Sequence, residues 1–249
     1  MARKKSEDTP EVPLWERLEN PSPAPRQTLT PRRIAAAAVA IADADGLGAI
    51  TMRRLAAELD VVPMAAYRYV SGKDDVLELM VDHVYAELQP LAGSAGWRES
   101  MRAFASRTRD LILAHPWLAQ LPPETSLSLT PHRVAATEQA LSELDGIGLD
   151  PDTMMAVVQT VAAYVHGIVG SEVALRQWMR HRGWASGDEM RTELAPQMRW
   201  LLGTGRYPVF HHYIGHAAHK GDPQWQFDSG LDLVLDGIAA RLGPGGTAA

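Results

Sequence analysis

A chain of 249 residues with 46% hydrophobic content can bury a sizeable core, as one large domain or as a small and a larger one. It contains no cysteine, which excludes disulfides, thiolate zinc sites and cysteine catalysis. The net charge of −6 argues against nucleic acid if taken over the whole chain, so where the charges lie matters more than their sum.

Residues 1–27 are rich in proline and charge and lack the apolar run of a signal peptide. A flexible arm is expected there, with one amphipathic turn at Leu14–Leu18 and Arg26 as its candidate for reaching a DNA groove. Thr30-Pro31 then opens the first firm helix, with Ile34, Ala38, Ile41 and Ala42 as its buried stripe and Gly46 as its end. Thr51 caps a second helix whose Leu55, Ala56 and Leu59 share a face. Leu59-Asp60-Val61 reads as a tight turn, with Asp60 at a left-handed position, and a short helix follows from about Val62 to Tyr69. Two such helices form a helix-turn-helix, whose second helix enters the DNA major groove. Arg53, Arg54, Arg68 and Lys73 outweigh Glu58 and Asp60 here, whereas Asp74, Asp75, Glu78, Asp82 and Glu87 follow. A basic tip on an acidic body suffices for DNA, because only phosphate-facing charges release counterions.

Further helices are expected over Asp74–Leu88 (closed by Pro90 and Gly93), Trp97–Ala114, Pro131–Leu144, Pro151–Arg182, Glu189–Leu202, Phe210–His219 and Asp228–Leu242. With few aromatics and no strand-like alternation, the fold class is all-α. No uninterrupted run of about 18 apolar residues occurs, so no membrane span is expected. His211, His212, His216 and His219 form HHxxxHxxH, and on one helix the last three share a face at metal-binding spacing. That pattern supports an alternative reading as a metal-responsive regulator. HExxH, GxSxG, a Walker loop and GxGxxG after a strand are all missing, so neither an enzyme nor a cofactor is expected.

The segment Leu29–Leu79 resembles the DNA-binding domain of the tetracycline-repressor family. The resemblance rests on the spacing of Ile34 to Gly46, on Thr51-Met52-Arg53-Arg54-Leu55-Ala56, on Ala66-Tyr67-Arg68-Tyr69-Val70, and on Lys73 followed by Asp74-Asp75-Val76-Leu77. Asp60, Ala66 and Val70 depart from the family pattern without removing a DNA-facing group. Phe227-Asp228-Ser229-Gly230-Leu231-Asp232 also resembles the last helix of the subgroup nearest the tetracycline repressor.

The resemblance implies a three-helix DNA-binding head at 28–73, a helical ligand-binding and dimerisation domain at 74–243 and a flexible tail at 244–249. Thr51, Arg53, Tyr67 and Lys73 match phosphate-contacting positions, with Met52 beside them; Pro63, Met64, Ala65, Arg68 and Tyr69 face outward if Ala66 and Val70 face the core, which offers Arg68 to a guanine edge and Met64 and Ala65 to thymine methyls. The helices Pro151–Arg182 and Asp228–Leu242 would pair with their mates in a homodimer that binds a palindromic operator. Candidates for an effector pocket are Phe104, His115, Trp117, Met155, Gln159, Tyr164, His166, Trp178 and Met198. The function implied is a cytoplasmic transcriptional repressor released by a small, largely apolar effector. A helical carrier or enzyme with a vestigial head is the remaining alternative.

Overall fold

The computed structural model describes residues 13–19, 29–88 and 96–242, and every regular element among them is helical. Arg26, Pro90, Gly93 and the tail 244–249 lie outside the described residues. The helices are α1 (Leu14–Glu19), α2 (Pro31–Asp45), α3 (Met52–Glu58), α4 (Pro63–Ala66), α5 (Lys73–Tyr85) and α6 (Trp97–Ala114). They continue as α7 (Pro123–Ser126), α8 (Pro131–Ser142), α9 (Pro151–Arg182), α10 (Gly187–Gly203), α11 (Pro208–His216) and α12 (Pro223–Leu242). Short 3-10 turns at Leu47–Ala49, Ala86–Leu88 and Pro116–Gln120 complete the order.

Local chemistry sets where the helices begin. Thr30 Oγ1 accepts the Arg33 N–H at 3.2 Å, Thr51 Oγ1 the Arg54 N–H at 3.1 Å, and Asp150 Oδ1 the Thr153 N–H at 3.0 Å. Each bond satisfies a donor that the first helical turn leaves without a partner. Asp222-Pro223 repeats the signal, with Asp222 Oδ1 accepting the Trp225 N–H at 3.0 Å. Helix α12 therefore starts at Pro223, more than a turn before the expected Asp228.

Two more boundaries differ from expectation. Helix α4 closes at Ala66, and Tyr67–Tyr69 continue as turns whose N–H groups point back at Pro63 and Ala66. Helix α11 ends at His216, so His219 falls outside it. The ring of His219 stacks on Trp225 with centroids 4.5 Å apart, while His212 and His216 stack on each other. The single face expected to carry three imidazoles is not formed.

The described residues divide into two compact units, one within 13–88 with 114–138 and the other within 96–113 with 139–242. In the first, α5 packs along α2. Ile34, Ala38 and Ile41 of α2 meet a core with Leu55, Ala56, Ala66, Val70, Val76, Leu77, Met80 and Val84, all buried. This unit is wider than a head of 28–73, because the apolar stripe of α5 is covered by α2. Part of the stretch expected to be a flexible arm also belongs here: α1 is helical and its Leu14 is buried.

In the second unit α9 packs on α12. Val157, Val161, Val165, Val169 and Val173 of α9 and Phe227, Leu231 and Leu235 of α12 are buried. At about 1.5 Å per residue, the 32 residues of α9 extend about 48 Å. An 18-residue stretch of it, with a mean hydropathy of 1.4, is long and apolar enough for a membrane span, but its valine stripe is committed to this core. Arg98 and Arg102 of α6 pair with Asp236 and Asp232 of α12, the first pair at 2.5 Å. Arg109 Nη2 donates to Glu172 Oε2 at 3.2 Å, and its guanidinium lies 5.2 Å from the Phe227 ring centre. No residue of α10 or α11 is buried.

Candidate DNA-reading surface and effector region

Asp60 makes the bend between α3 and α4. Its φ of 53° is left-handed, a conformation that aspartate tolerates better than most residues, and the Val61 N–H returns to the Ala56 carbonyl at 3.0 Å. Leu55, Ala56, Ala66 and Val70 point inward and are essentially inaccessible. The opposite side is therefore presented outward: Met64 is 72% exposed and Tyr67 45%. Thr51, Arg53, Pro63 and Arg68 are exposed as well, with Met52, Ala65 and Tyr69 half-buried among them. Among the described residues Arg53 and Arg68 have no ion pair, whereas Arg54 is paired with Asp45. Lys73 is exposed, and its Nζ donates to the Leu47 carbonyl at 3.1 Å. The result is a short, mostly uncharged ridge that ends in Arg68, with Arg53 and Lys73 as the neighbouring cations. It is a surface suited to base edges flanked by phosphates.

Two carboxylates tie the segment 114–138 into the same unit. Asp43 of α2 accepts the Trp117 indole N–H at 2.8 Å and the His115 Nδ1–H at 2.9 Å. Asp82 of α5, itself buried, accepts both the backbone N–H and the Nδ1–H of His132 at 2.8 Å. Arg133 lies 5.5 Å from the Tyr85 ring centre. Burial pushes the Tyr85 phenol above its ordinary value, and the Arg133 cation partly opposes that shift.

The nine expected pocket residues are divided between the units. His115 and Trp117 lie in the first, with their polar atoms engaged by Asp43. In the second, Phe104 is buried, Met155, Tyr164 and Met198 are half-buried, and Gln159, His166 and Trp178 are exposed. Tyr164 donates its hydroxyl to the Phe227 carbonyl at 2.8 Å, and its pKa is raised by burial and by Asp228. His166 Nδ1 donates to the Ala162 carbonyl one turn back at 2.8 Å, so its ring folds back along its own helix. Trp178 meets Trp184 edge-on with centroids 4.8 Å apart. A cleft of about 490 Å³ opens between α9 and α12, bordered by Asp152, Ala156, Thr160, Ile238 and Arg241; none of the nine residues lines it.

Residues 89–242 match the family described as "Tetracyclin repressor-like, C-terminal domain". The chain is 36% identical to the HTH-type transcriptional repressor DrrR1 of Streptomyces coeruleorubidus, over 90% of this chain and 83% of that protein. It is 32% identical to an HTH-type transcriptional regulator of Saccharopolyspora erythraea, over 92% of each. The chain belongs to the tetracycline-repressor family. Its structure also aligns, at a TM-score of 0.70 and 26% identity, with the Streptomyces coelicolor TetR family protein ActR in complex with actinorhodin, covering 87% of this chain and 98% of that one.

As a tetracycline-repressor family member, the chain is a DNA-binding transcriptional regulator with an all-helical fold, as its helix-turn-helix residues indicated. Sequence reasoning missed Asp43, Asp82 and His132, whose bonds join positions 50 to 74 residues apart. It also missed Arg17, which donates from Nη2 to Asp75 Oδ2 at 2.7 Å and from Nη1 to Ser71 Oγ at 3.0 Å. A basic residue in an amphipathic turn was the one available signal for Arg17, and nothing local says which carboxylate it meets.

Proposed function

We propose that this regulator works in the cytoplasm as a homodimeric repressor, reads a palindromic operator, and is released by a small, largely apolar effector. The observation that carries this reading is the exposed ridge Pro63–Arg68, bounded by Arg53 and Lys73 and backed by a fully buried Leu55, Ala66 and Val70. Arg68 donates to a guanine edge; Met64 and Ala65 meet thymine methyls. Thr51, Arg53, Tyr67 and Lys73 hold phosphates.

The dimer forms along α9 and α12. On α9 the outward stripe Ala163, Gly167 and Ala174 is small and apolar, Leu175 to one side of it is 42% exposed, and on α12 Leu233 is 75% exposed. A monomer would leave that surface in water. The effector is bound in the second unit, near Phe104, Met155, Tyr164 and Met198. That the similar protein ActR is seen in complex with actinorhodin supports ligand binding by this fold. An effector that binds a second arrangement of the heads several kcal/mol better than the operator-bound one would empty the operator.

Selection from a random duplex pool tests the reading. The expected product is a palindrome with half-sites about one helical turn apart. Arg68→Ala should cost about 1–3 kcal/mol on that operator and relax one base position. Lys73→Ala should weaken operator and random duplex alike, and lower the salt slope by about one per monomer. Equal losses from both variants on both duplexes would remove Arg68 from base reading, and a pool with no enrichment would sink the repressor reading.

A further inference from the structure

The turn that ends the DNA-reading ridge is held from two sides. On one, Lys73 Nζ donates to the Leu47 carbonyl at 3.1 Å. On the other, Asp75 Oδ2 accepts the Ser71 N–H at 2.7 Å, which closes Ser71-Gly72 against the start of α5. Arg17 of α1 binds both residues of this closure, at 2.7 Å to the same Asp75 oxygen and at 3.0 Å to Ser71 Oγ. The pair is partly shielded, its side chains 34% and 20% exposed, so it is screened less than an open surface pair.

Helix α1 is seated to deliver that guanidinium. Leu14 is 5% exposed, and Trp15 and Leu18 border the cleft whose other walls are Pro31, Arg32 and Ala35 of α2 and Leu79 and Asp82 of α5. The start of α5 gathers Asp74, Asp75 and Glu78 within five positions. Glu78 is already held above the ordinary carboxylate range by burial and by Asp75. A cation against Asp75 relieves that crowding where the ridge hands over to α5.

We infer that Arg17 is a positioning residue for operator reading: through Ser71 and Asp75, α1 fixes the turn behind Arg68. The inference rests on the ridge being the DNA-reading surface. Arg17 acts on the pose of the ridge and makes no phosphate contact of its own, and this separates it from Arg53 and Lys73.

The test compares Arg17→Ala, Asp75→Asn and the double variant with the wild type. Full-length proteins are titrated by fluorescence anisotropy against the selected operator and a scrambled duplex over a salt series, with circular-dichroism melts alongside. Arg17→Ala should lower operator affinity about tenfold, the scale of one lost charge-assisted hydrogen bond. Affinity for the scrambled duplex should change by less than about twofold, with the salt slope unaltered. The double variant should lose no more than the larger single loss, since both changes remove one pair. Should Arg17→Ala fail to fold, Arg17→Lys and Asp75→Asn carry the same comparison, with the lysine variant intermediate.

Unchanged operator affinity in a folded variant overturns the inference. So does an equal loss on both duplexes with a shallower salt slope, which would make Arg17 a phosphate contact. A wild type that selects no palindrome overturns both the ridge reading and the inference, so failure of the inference alone is recognised by a wild type that selects one.

Discussion

Arg53 and Arg54 are neighbours in the chain with different uses. Arg54 turns back to pair with Asp45, while Arg53 stands exposed beside the ridge without an ion pair among the described residues. Such division is invisible to a count of basic residues, which treats all four cations between Thr51 and Lys73 alike. What was legible at this scale was local. The caps at Thr30, Thr51 and Asp150 and the left-handed Asp60 each depend on groups within four positions, so residue type and order are enough. Glu78 offers a test at the same scale. Burial, then Asp75, raises its pKa above the ordinary 4.5. A carboxyl raised in the folded state favours folding fully below its unfolded pKa and loses that contribution as pH rises through the folded one. At neutral pH the ionised group therefore destabilises the fold. Glu78→Gln should raise the melting temperature at pH 7 and do little well below pH 4.5; an equal gain at both would refute this account.

Between α9 and α12 the contact depends on one missing side chain. A Cβ at Gly230 would overlap the Tyr164 hydroxyl, which is committed to the Phe227 carbonyl of the same helix. Gly230→Ala should cost about 1–3 kcal/mol in chemical denaturation, because the ring must shift or α12 must withdraw. Gly215→Ala on α11, where a Cβ meets open space, should be neutral or stabilising through helix propensity. If Gly230→Ala behaves like Gly215→Ala, the ring does not set the spacing of the two helices. The existence and span of α6 and α9 were readable from their periodicity and flanking signals, and α12 was readable apart from its first turn. A pocket is a different matter: whether residues such as Phe104, Gln159, His166 and Trp178 converge depends on how the helices cross, which no single helix records. The same limit explains the histidines. Their spacing was correct for one face, but α11 stops at His216.

At the scale of the molecule, the outward stripe of α9 and Leu233 of α12 predict the assembly. Leu175→Glu combined with Leu233→Glu should move the protein from dimer toward monomer in sedimentation, and operator affinity should fall with it, since each half-site is then bound alone. A dimer that survives both changes would place the interface elsewhere. Arm, head and body were expected as consecutive segments. The folded chain departs from that order, because α1 sits on the head and 114–138 returns to it.

That return limits how operator specificity can be moved to another protein. Asp43 holds Trp117 and His115, and Asp82 holds His132, so the piece that folds with the helix-turn-helix is not one continuous stretch. A single splice after residue 73 would part Asp43 from Trp117 and His115, part Arg17 from Asp75, and strip α2 of α5. One recombination crossover at that point would hand the recipient a head without its clasps. New operators are reached more economically by point changes along Pro63–Arg68, which alter what the ridge reads and leave its supports in place.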